Sequence, residues 1–198
     1  MAPRFSSKAV KIVAPLIAVL VMGFLVSYFR LFSAEVAPAF RDARNQGALI
    51  SDSIVGLSND ISTDLAKVNE YDKNGQSREA LDLTTVLHLR VQQVKQQANE
   101  LSEQLKSMIT GLDSIQSQDA KQAAMEAITD RMALISRLLS YGQYLDQLTD
   151  VLSNHFAGVP DKASVQIIIS QINAEVTAVN SFNKQAVQAM QRFDERLK

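Results

Sequence analysis

SREALDLTTVLHLRVQQVKQQANELSEQLKSMI, residues 77–109, is the stretch that decides the fold. Its apolar residues recur at steps of three and four, with one place where two steps of four follow each other. This spacing puts them on one face of an α-helix, as a heptad seam with a single stutter. The opposite face is rich in Gln, Glu and Ser, as a solvated surface is. The seam comprises Ala80, Leu83, Leu87, Val91, Val94, Ala98, Leu101, Leu105 and Met108.

The same periodicity predicts three more helices, at about 39–72, 118–156 and 161–197, beside the one at 77–109. Their seams comprise Ile50, Ile54, Leu57, Ile61, Leu65 and Val68 in the first; Ala124, Ile128, Met132, Ile135, Leu138, Gly142, Leu145, Leu148 and Leu152 in the third; and Val165, Ile168, Ile172, Val176, Val179, Ala186, Met190, Phe193 and Leu197 in the fourth.

Helix-ending residues separate these stretches. The breaks are Lys73-Asn74-Gly75, the segment 110–118 and Gly158-Val159-Pro160. After the breaks, small polar residues predict N-caps: Ser77 for the second helix, Ser117 or Asp119 for the third, and Asp161 for the fourth.

The predicted architecture is all-α. An amphipathic helix buries its apolar face against other helices, and short connections join antiparallel neighbours. Residues 39–198 are therefore expected to form an antiparallel up-down-up-down four-helix bundle of long helices. The alternative is an extended coiled-coil hairpin that dimerises to complete a four-helix core.

An apolar run precedes this domain. Residues 12–29, IVAPLIAVLVMGFLVSYF, carry no charge, and with Ala9 and Val10 they reach the length of about 20 residues that spans a bilayer. They predict a single transmembrane helix between a basic tail, 1–11, and a juxtamembrane linker, 30–38. The residues expected to contact the lipid bilayer as the membrane anchor include Ile12, Leu16, Leu20, Phe24, Tyr28 and Phe29.

Two alternatives for this run are a cleaved signal peptide and a buried helix of a soluble core. A signal peptide has a shorter apolar stretch and a nearby A-x-A site, whereas Ala37-Pro38-Ala39 lies about ten residues beyond this one. A helix that packs on the core of a soluble domain usually has a polar face, whereas every face of this run is apolar. Arg4, Lys8 and Lys11 favour a cytoplasmic N-terminus with the helical domain on the extracytoplasmic side, although Arg30, Arg41 and Arg44 weaken the contrast.

Composition argues against several function classes. The chain has no Cys, which excludes disulfides, thiolate nucleophiles and Cys-based zinc sites. After residue 30 there are 16 basic and 21 acidic residues, so we expect no nucleic-acid partner. Neither Glu-x-x-His pairs nor phosphate-binding glycine loops occur, so we expect no metal, no cofactor and no enzymatic activity. His88 and His155 are expected to be structural or surface residues, and the pairs Asp146/Asp150 and Glu126/Asp130 to be solvated.

One position could hold a ligand. Tyr141 and Tyr144 bracket Gly142 in the third helix, and aromatic residues around a glycine can line a slot between helices. The alternative is that both tyrosines edge a packed core with their hydroxyl groups in water. Asn183 falls in the apolar register of the fourth helix, where a buried Asn can determine register or partner choice. Alternatively, Phe182 points inward and Asn183 is solvated.

Two resemblances carry no transferable motif. Residues 71–81, YDKNGQSREAL, resemble the middle of a tetratricopeptide repeat, but Thr84 stands where that family has an aromatic residue and no second copy occurs. The overall plan looks like the four-helix sensory domains of bacterial chemotaxis receptors, without their second span. We therefore expect a membrane-anchored, non-catalytic interaction or scaffold module that binds another protein or its own copies. The alternative is an extracytoplasmic ligand-sensing bundle that signals through a partner membrane protein.

Overall fold

The computed structural model describes residues 36–159 and 165–197. They form four long α-helices and one short 3-10 helix, and none of them lies in a β-strand. This confirms the predicted all-α class. The helices are α1 (Pro38–Lys73), α2 (Ser77–Gly111), α3 (Gln118–Phe156) and α4 (Val165–Arg196), and the 3-10 helix is Leu112–Ser114. The predicted anchor at 12–29, the tail before it, linker residues 30–35 and the predicted cap Asp161 lie outside the described residues.

Two helices end in the same turn. Gly75 and Gly158 adopt φ angles of 72° and 73°, the left-handed conformation that glycine reaches without a steric penalty. After α1, Gln76 N donates to Tyr71 O at 2.9 Å, and after α3, Val159 N donates to Asn154 O at 2.8 Å. These bonds complete Schellman motifs, which satisfy carbonyl groups at the helix ends.

The helix starts agree only in part with the predicted caps. Ser117 caps α3, since its hydroxyl accepts a hydrogen bond from Ala120 N at 3.3 Å. The prediction for Ser77 is wrong: Gln76 occupies the cap position of α2 without a side-chain bond, and Ser77 is the first helical residue. The Schellman turn uses Gln76 to close α1, so α2 begins directly after it.

One continuous hydrophobic core joins the apolar faces of all four helices. The predicted seams are buried or partly buried, with one exception in α3. Met132 is 55% exposed, and Arg131 takes the inward place at 6% exposure. Between the buried Ile128 and Ile135, a helix face can continue through residue 131 or residue 132, since steps of three and of four both stay on one face, and the packing of α3 turns residue 131 inward.

The described helices form a bundle-like arrangement in which each packs along the next one in the chain: α1 on α2, α2 on α3 and α3 on α4. The backbones of α1 and α4 approach closely at few places. They meet at one end, where the Arg44 guanidinium donates to both carboxylate oxygens of Asp194 at 2.7 and 2.8 Å. Beside this pair, the rings of Phe40 and Phe193 lie 5.4 Å apart.

The end of α2 also packs closely on α1. It extends to Gly111, two residues beyond the predicted 109, because Gly111 keeps a helical backbone. A Cβ at Gly111 would lie 2.8 Å from Phe40 Cβ, so this contact requires glycine. Within 36–159 and 165–197, no helix has an apolar stretch long enough to cross a membrane.

Candidate functional site

Tyr141 is part of the hydrophobic core. Its ring is fully buried, on the face of α3 that also carries Leu138 and Leu145. Burial raises the pKa of the Tyr141 phenol well above its usual value, and the nearby Ser58 hydroxyl of α1 partly offsets this effect. The alternative in which the Tyr141 hydroxyl reaches water is therefore wrong, because side chains of neighbouring helices cover it.

The two other residues of the predicted slot face elsewhere. Gly142 faces α2, where the Lys95 side chain lies so close that an added Cβ would be 2.6 Å from Lys95 Cγ. Tyr144 is partly buried and packs at the edge of the core. The space beside Gly142 is thus occupied by the Lys95 side chain, and the buried polar group of this region is the Tyr141 hydroxyl.

Asn183 faces inward. It is 8% exposed on α4, whereas Phe182 beside it is partly buried against the edge of the core. The structure therefore agrees with the inward alternative for Asn183, and its role in helix register stays a prediction. Ion pairs between α3 and α4, such as Glu126–Arg192 at 2.6 Å and Arg137–Glu175 at 3.5 Å, place Asn183 at about the level of Arg131.

Arg131 is a buried cation that the sequence pattern did not predict. Desolvation lowers the pKa of its guanidinium to about 10. Sequence reasoning placed Met132 inward because Met is the more apolar of the two neighbours. No signal in the sequence distinguishes the two positions, because residues 131 and 132 both fall at helical spacing between Ile128 and Ile135, and the rotation of α3 against its neighbours decides which one is covered.

A polar cluster joins α2 to α3 around Asp146. Its carboxylate accepts hydrogen bonds from Lys95 Nζ at 2.7 Å and Gln92 Nε2 at 2.9 Å, and His88 Nδ1 lies 3.7 Å away. Asp146 is mostly buried, so the prediction of a solvated pair is wrong for it and holds only for the exposed Asp150. The cluster neutralises a carboxylate between two helices.

Other carboxylates also have partners. His155 Nε2 lies 3.6 Å from Asp72, near the turn that ends α1. Asp64 is buried on α1, and its carboxylate accepts a hydrogen bond from Arg90 of α2. Asp64 is not part of the apolar seam predicted for α1. Its burial results from the packing of α2 against α1, which the periodicity of α1 does not indicate.

The predicted pair Glu126/Asp130 borders an open depression of about 580 Å³ over the first turns of α3. Hydrogen bonds from Arg192 and Gln122 lower the pKa of Glu126. Partial burial and the Glu126 charge raise the pKa of Asp130. In the described part of the chain, no three His, Asp or Glu side chains converge in a way that could hold a metal ion.

We compared the chain with protein-family models, with curated proteins and with solved structures, and none of them matches it.

Proposed function

We propose that this protein is a membrane-anchored, non-catalytic interaction or scaffold module that presents a four-helix bundle at the membrane surface. The observation that carries the proposal is the uncharged run at 12–29, which the linker 30–38 joins to the helical domain. A helix of that composition and length partitions into a bilayer because it satisfies its own backbone hydrogen bonds there.

We infer that the bundle has antiparallel up-down-up-down topology. Polar contacts between successive helices support this. Ser53 contacts Gln97, while Asp64, further along α1, contacts Arg90, earlier in α2. Glu126 and Arg192 pair in the same opposed sense as Arg137 and Glu175.

This topology brings the start of α1 and the end of α4 to one end of the bundle, where Arg44 binds Asp194. The anchor would enter the domain at that end. The turn between α1 and α2 and the connection between α3 and α4 would then project away from the membrane. In this arrangement a partner can reach the sides of the bundle as well as its ends.

The surface we propose for protein contact is on α3. Met125 and Met132, seven residues apart, are both more than half exposed on its outer face. Methionine side chains are flexible and polarisable and adapt to varied apolar partners. A partner protein or a second copy of the chain would cover them.

The membrane anchor is tested by a charge at the centre of the run. We expect Leu20→Arg to move the chain out of the carbonate-resistant membrane fraction, because Arg at a helix centre costs about 2.5–3.5 kcal/mol of insertion free energy. Leu20→Ile is the matched control and should remain in the membrane. A Leu20→Arg protein that resists carbonate extraction as wild type does would contradict the anchor.

Orientation is tested by protease accessibility in intact cells or spheroplasts. With an extracytoplasmic domain, added protease digests residues 39–198 before lysis. Digestion only after lysis would overturn this orientation.

The interaction role is tested by photocrosslinking in native membranes. A photoreactive residue at Met125 or Met132 should give a discrete crosslinked band, whereas one at Gln93, exposed on α2, should give none. Equal crosslinking from all three positions would argue against the proposed surface.

The second candidate is an extracytoplasmic ligand-sensing bundle that signals through a partner membrane protein. The buried Tyr141 hydroxyl, which lies beside Ser58 in the core, supports it. A thermal-shift screen with a metabolite panel tests it. A compound that raises the melting temperature favours sensing, and an unchanged melting temperature with every compound counts against it.

A further inference from the structure

The outward side of α3 carries an uncharged strip, here called the outer strip. Its residues recur at steps of three and four between positions 122 and 147, so they share one face of the helix. Charged residues make up 21% of the whole chain, yet none occupies this face over about seven helical turns. All members of the strip are exposed except Leu139, which is partly buried. They are Gln122, Met125, Thr129, Met132, Ser136, Leu139, Gln143 and Gln147.

Three charged residues beside the outer strip are paired within the molecule. Glu126 and Arg137 contact charged residues of α4 at 2.6 and 3.5 Å. Asp146, on the side of α2, accepts a hydrogen bond from a lysine of that helix at 2.7 Å. The strip between these flanks offers a partner apolar surface, hydroxyl groups and amide groups, but no charge.

The outer strip also has the spacing of a coiled-coil seam. From position 125 to position 143 the steps alternate between four and three without a stutter, as in a heptad repeat. Apolar residues alternate with neutral polar ones along it. Helix α3 therefore has one seam inside the bundle and a second on its surface. The apolar residues of the second seam are Met125, Met132 and Leu139, and the polar ones are Thr129, Ser136 and Gln143.

We propose that the outer strip binds the outer strip of a second copy of this chain, with the two α3 helices parallel and in register. The proposal rests on the proposed function, because two copies anchored in one membrane, with their domains on the same side, carry α3 in the same direction. A parallel seam places each residue opposite its own counterpart. Neutral side chains tolerate this arrangement, and hydroxyl and amide groups both donate and accept hydrogen bonds, so identical residues can satisfy each other.

The outward sides of the other three helices suit a self-contact less well. Each of them carries exposed charged residues, which a parallel contact between identical faces would bring close to the same charge on the other copy. Like charges brought together in this way oppose association. The exposed charged residues include Asp60 and Lys67 on α1, Glu100 and Glu103 on α2, and Lys184 on α4.

The size of the contact makes it depend on the shared membrane. The seam from Met125 to Gln143 is about 27 Å long and consists of one face of one helix. It is smaller than the roughly 800 Å² per partner that stable complexes of free proteins bury. Copies held in one bilayer have a raised effective concentration, so a small contact can join them there.

Single-cysteine variants of the full chain test this contact in native membranes. The chain has no Cys, so each variant carries one thiol. Brief oxidation should link Met125→Cys copies and Ser136→Cys copies, since a disulfide requires Cα atoms about 4.4–6.8 Å apart. The matched controls Glu126→Cys and Arg137→Cys alter the next residues, which are exposed but turned by about 100°. They should crosslink about fivefold less or weaker still.

A charge within the outer strip should prevent the contact. Met132→Lys, combined with Met125→Cys, places two like charges opposite each other, and we expect crosslinking to fall by about tenfold. Gln93→Lys, at an exposed position of α2, is the control and should leave crosslinking unchanged. Coexpression of a Met132→Lys copy with a Met132→Glu copy, each with Met125→Cys, should restore it, which a folding defect would not allow.

Carbonate extraction of the same samples, with two differently tagged copies coexpressed, separates this proposal from the membrane anchor. Disulfides between the two tagged copies that are specific to the outer strip support the self-contact. A chain that resists carbonate, but crosslinks no more at the strip than at the control positions, overturns the self-contact and leaves the anchor supported. Crosslinks from the strip to another protein alone overturn it as well. Release of the chain by carbonate contradicts the anchor, and with it the parallel pairing.

Discussion

Two helical glycines, Gly111 and Gly56, have opposite surroundings. A Cβ at Gly111 would lie 2.8 Å from the Cβ and 3.3 Å from the Cα of Phe40. A Cβ at Gly56, within α1, would meet nothing within 4 Å. The backbone of α1 cannot move away from Gly111 without disturbing the Phe40–Phe193 contact, so the same substitution should have opposite effects at the two positions.

We predict that Gly111→Ala lowers the free energy of unfolding by about 1–3 kcal/mol, the usual effect of overpacking. Gly56→Ala is the matched control and should raise it by up to about 1 kcal/mol, because alanine favours the helix. Urea denaturation followed by circular dichroism measures both. Equal effects at the two positions would show that α2 does not pack on Phe40 as described.

Because the Tyr141 phenol is buried, we predict that the free energy of unfolding depends on pH at high pH. Its pKa is raised in the folded protein, while the unfolded chain has the usual value of about 10. Stability from the neutral phenol is therefore complete below pH 10 and is lost as the pH rises above it, by up to about 1.4 kcal/mol per pH unit. Tyr141→Phe should lack this component when unfolding is measured from pH 9 to 11. Ile54→Val, a core variant without a titrating group, should keep the wild-type pH dependence, and a Tyr141→Phe slope equal to that of wild type would contradict the burial.

At the scale of the helix, starts and ends are determined differently. The ends of α1 and α3 lie at Gly75 and Gly158, and glycines at such positions can be recognised in the sequence as helix-ending residues. The starts are harder to predict, because a Ser or Asp near the start of a helix caps it only when the backbone lets its side chain reach a free N–H group. Ser117 meets that condition and Ser77 does not.

We predict that Ser117→Ala destabilises the protein by about 1 kcal/mol, the typical value for loss of an N-cap bond. Ser77→Ala should change stability by less than about 0.5 kcal/mol, as surface substitutions do. Thermal unfolding of wild type and of the two variants measures both effects. A larger loss for Ser77→Ala would indicate that α2 begins one residue later in solution.

At the scale of the whole molecule, the contact between the first and last helices depends on a few residues at one end. The Arg44–Asp194 pair is mostly buried and joined by two hydrogen bonds, whereas Arg196 and Asp119 form an exposed pair at 3.0 Å. Partly buried charged pairs with two-point geometry contribute more than exposed ones, which solvent and salt screen.

We predict that Arg44→Met lowers the free energy of unfolding by roughly 1.5–3 kcal/mol, since it leaves the Asp194 carboxylate covered without its two donors. The double variant Arg44→Met/Asp194→Leu should recover part of this loss, because no buried charge remains. Arg196→Met serves as the control and should lie within about 0.5 kcal/mol of wild type. The prediction fails if Arg44→Met behaves like the control in urea denaturation.

Much of the fold could be predicted from local patterns. Helical periodicity, helix-ending residues and apolar seams depend on neighbours three or four positions away, so residues 77–109 already contain the information for α2 and most of its buried face. The candidate site was less predictable. Tyr141 was singled out, but its partner Ser58 lies on another helix, 83 positions earlier in the chain, and no local pattern relates the two.

The sequence by itself therefore determined the all-α class, the helix breaks and the apolar run at 12–29 that predicts membrane attachment. Only the tertiary structure decided that Arg131 faces inward in place of Met132, that Asp146 is held between α2 and α3, and that the Tyr141 hydroxyl is buried beside Ser58. The reason is physical. Periodicity specifies which residues share a helix face, but burial and pairing depend on how each helix is rotated against neighbours that are distant in sequence.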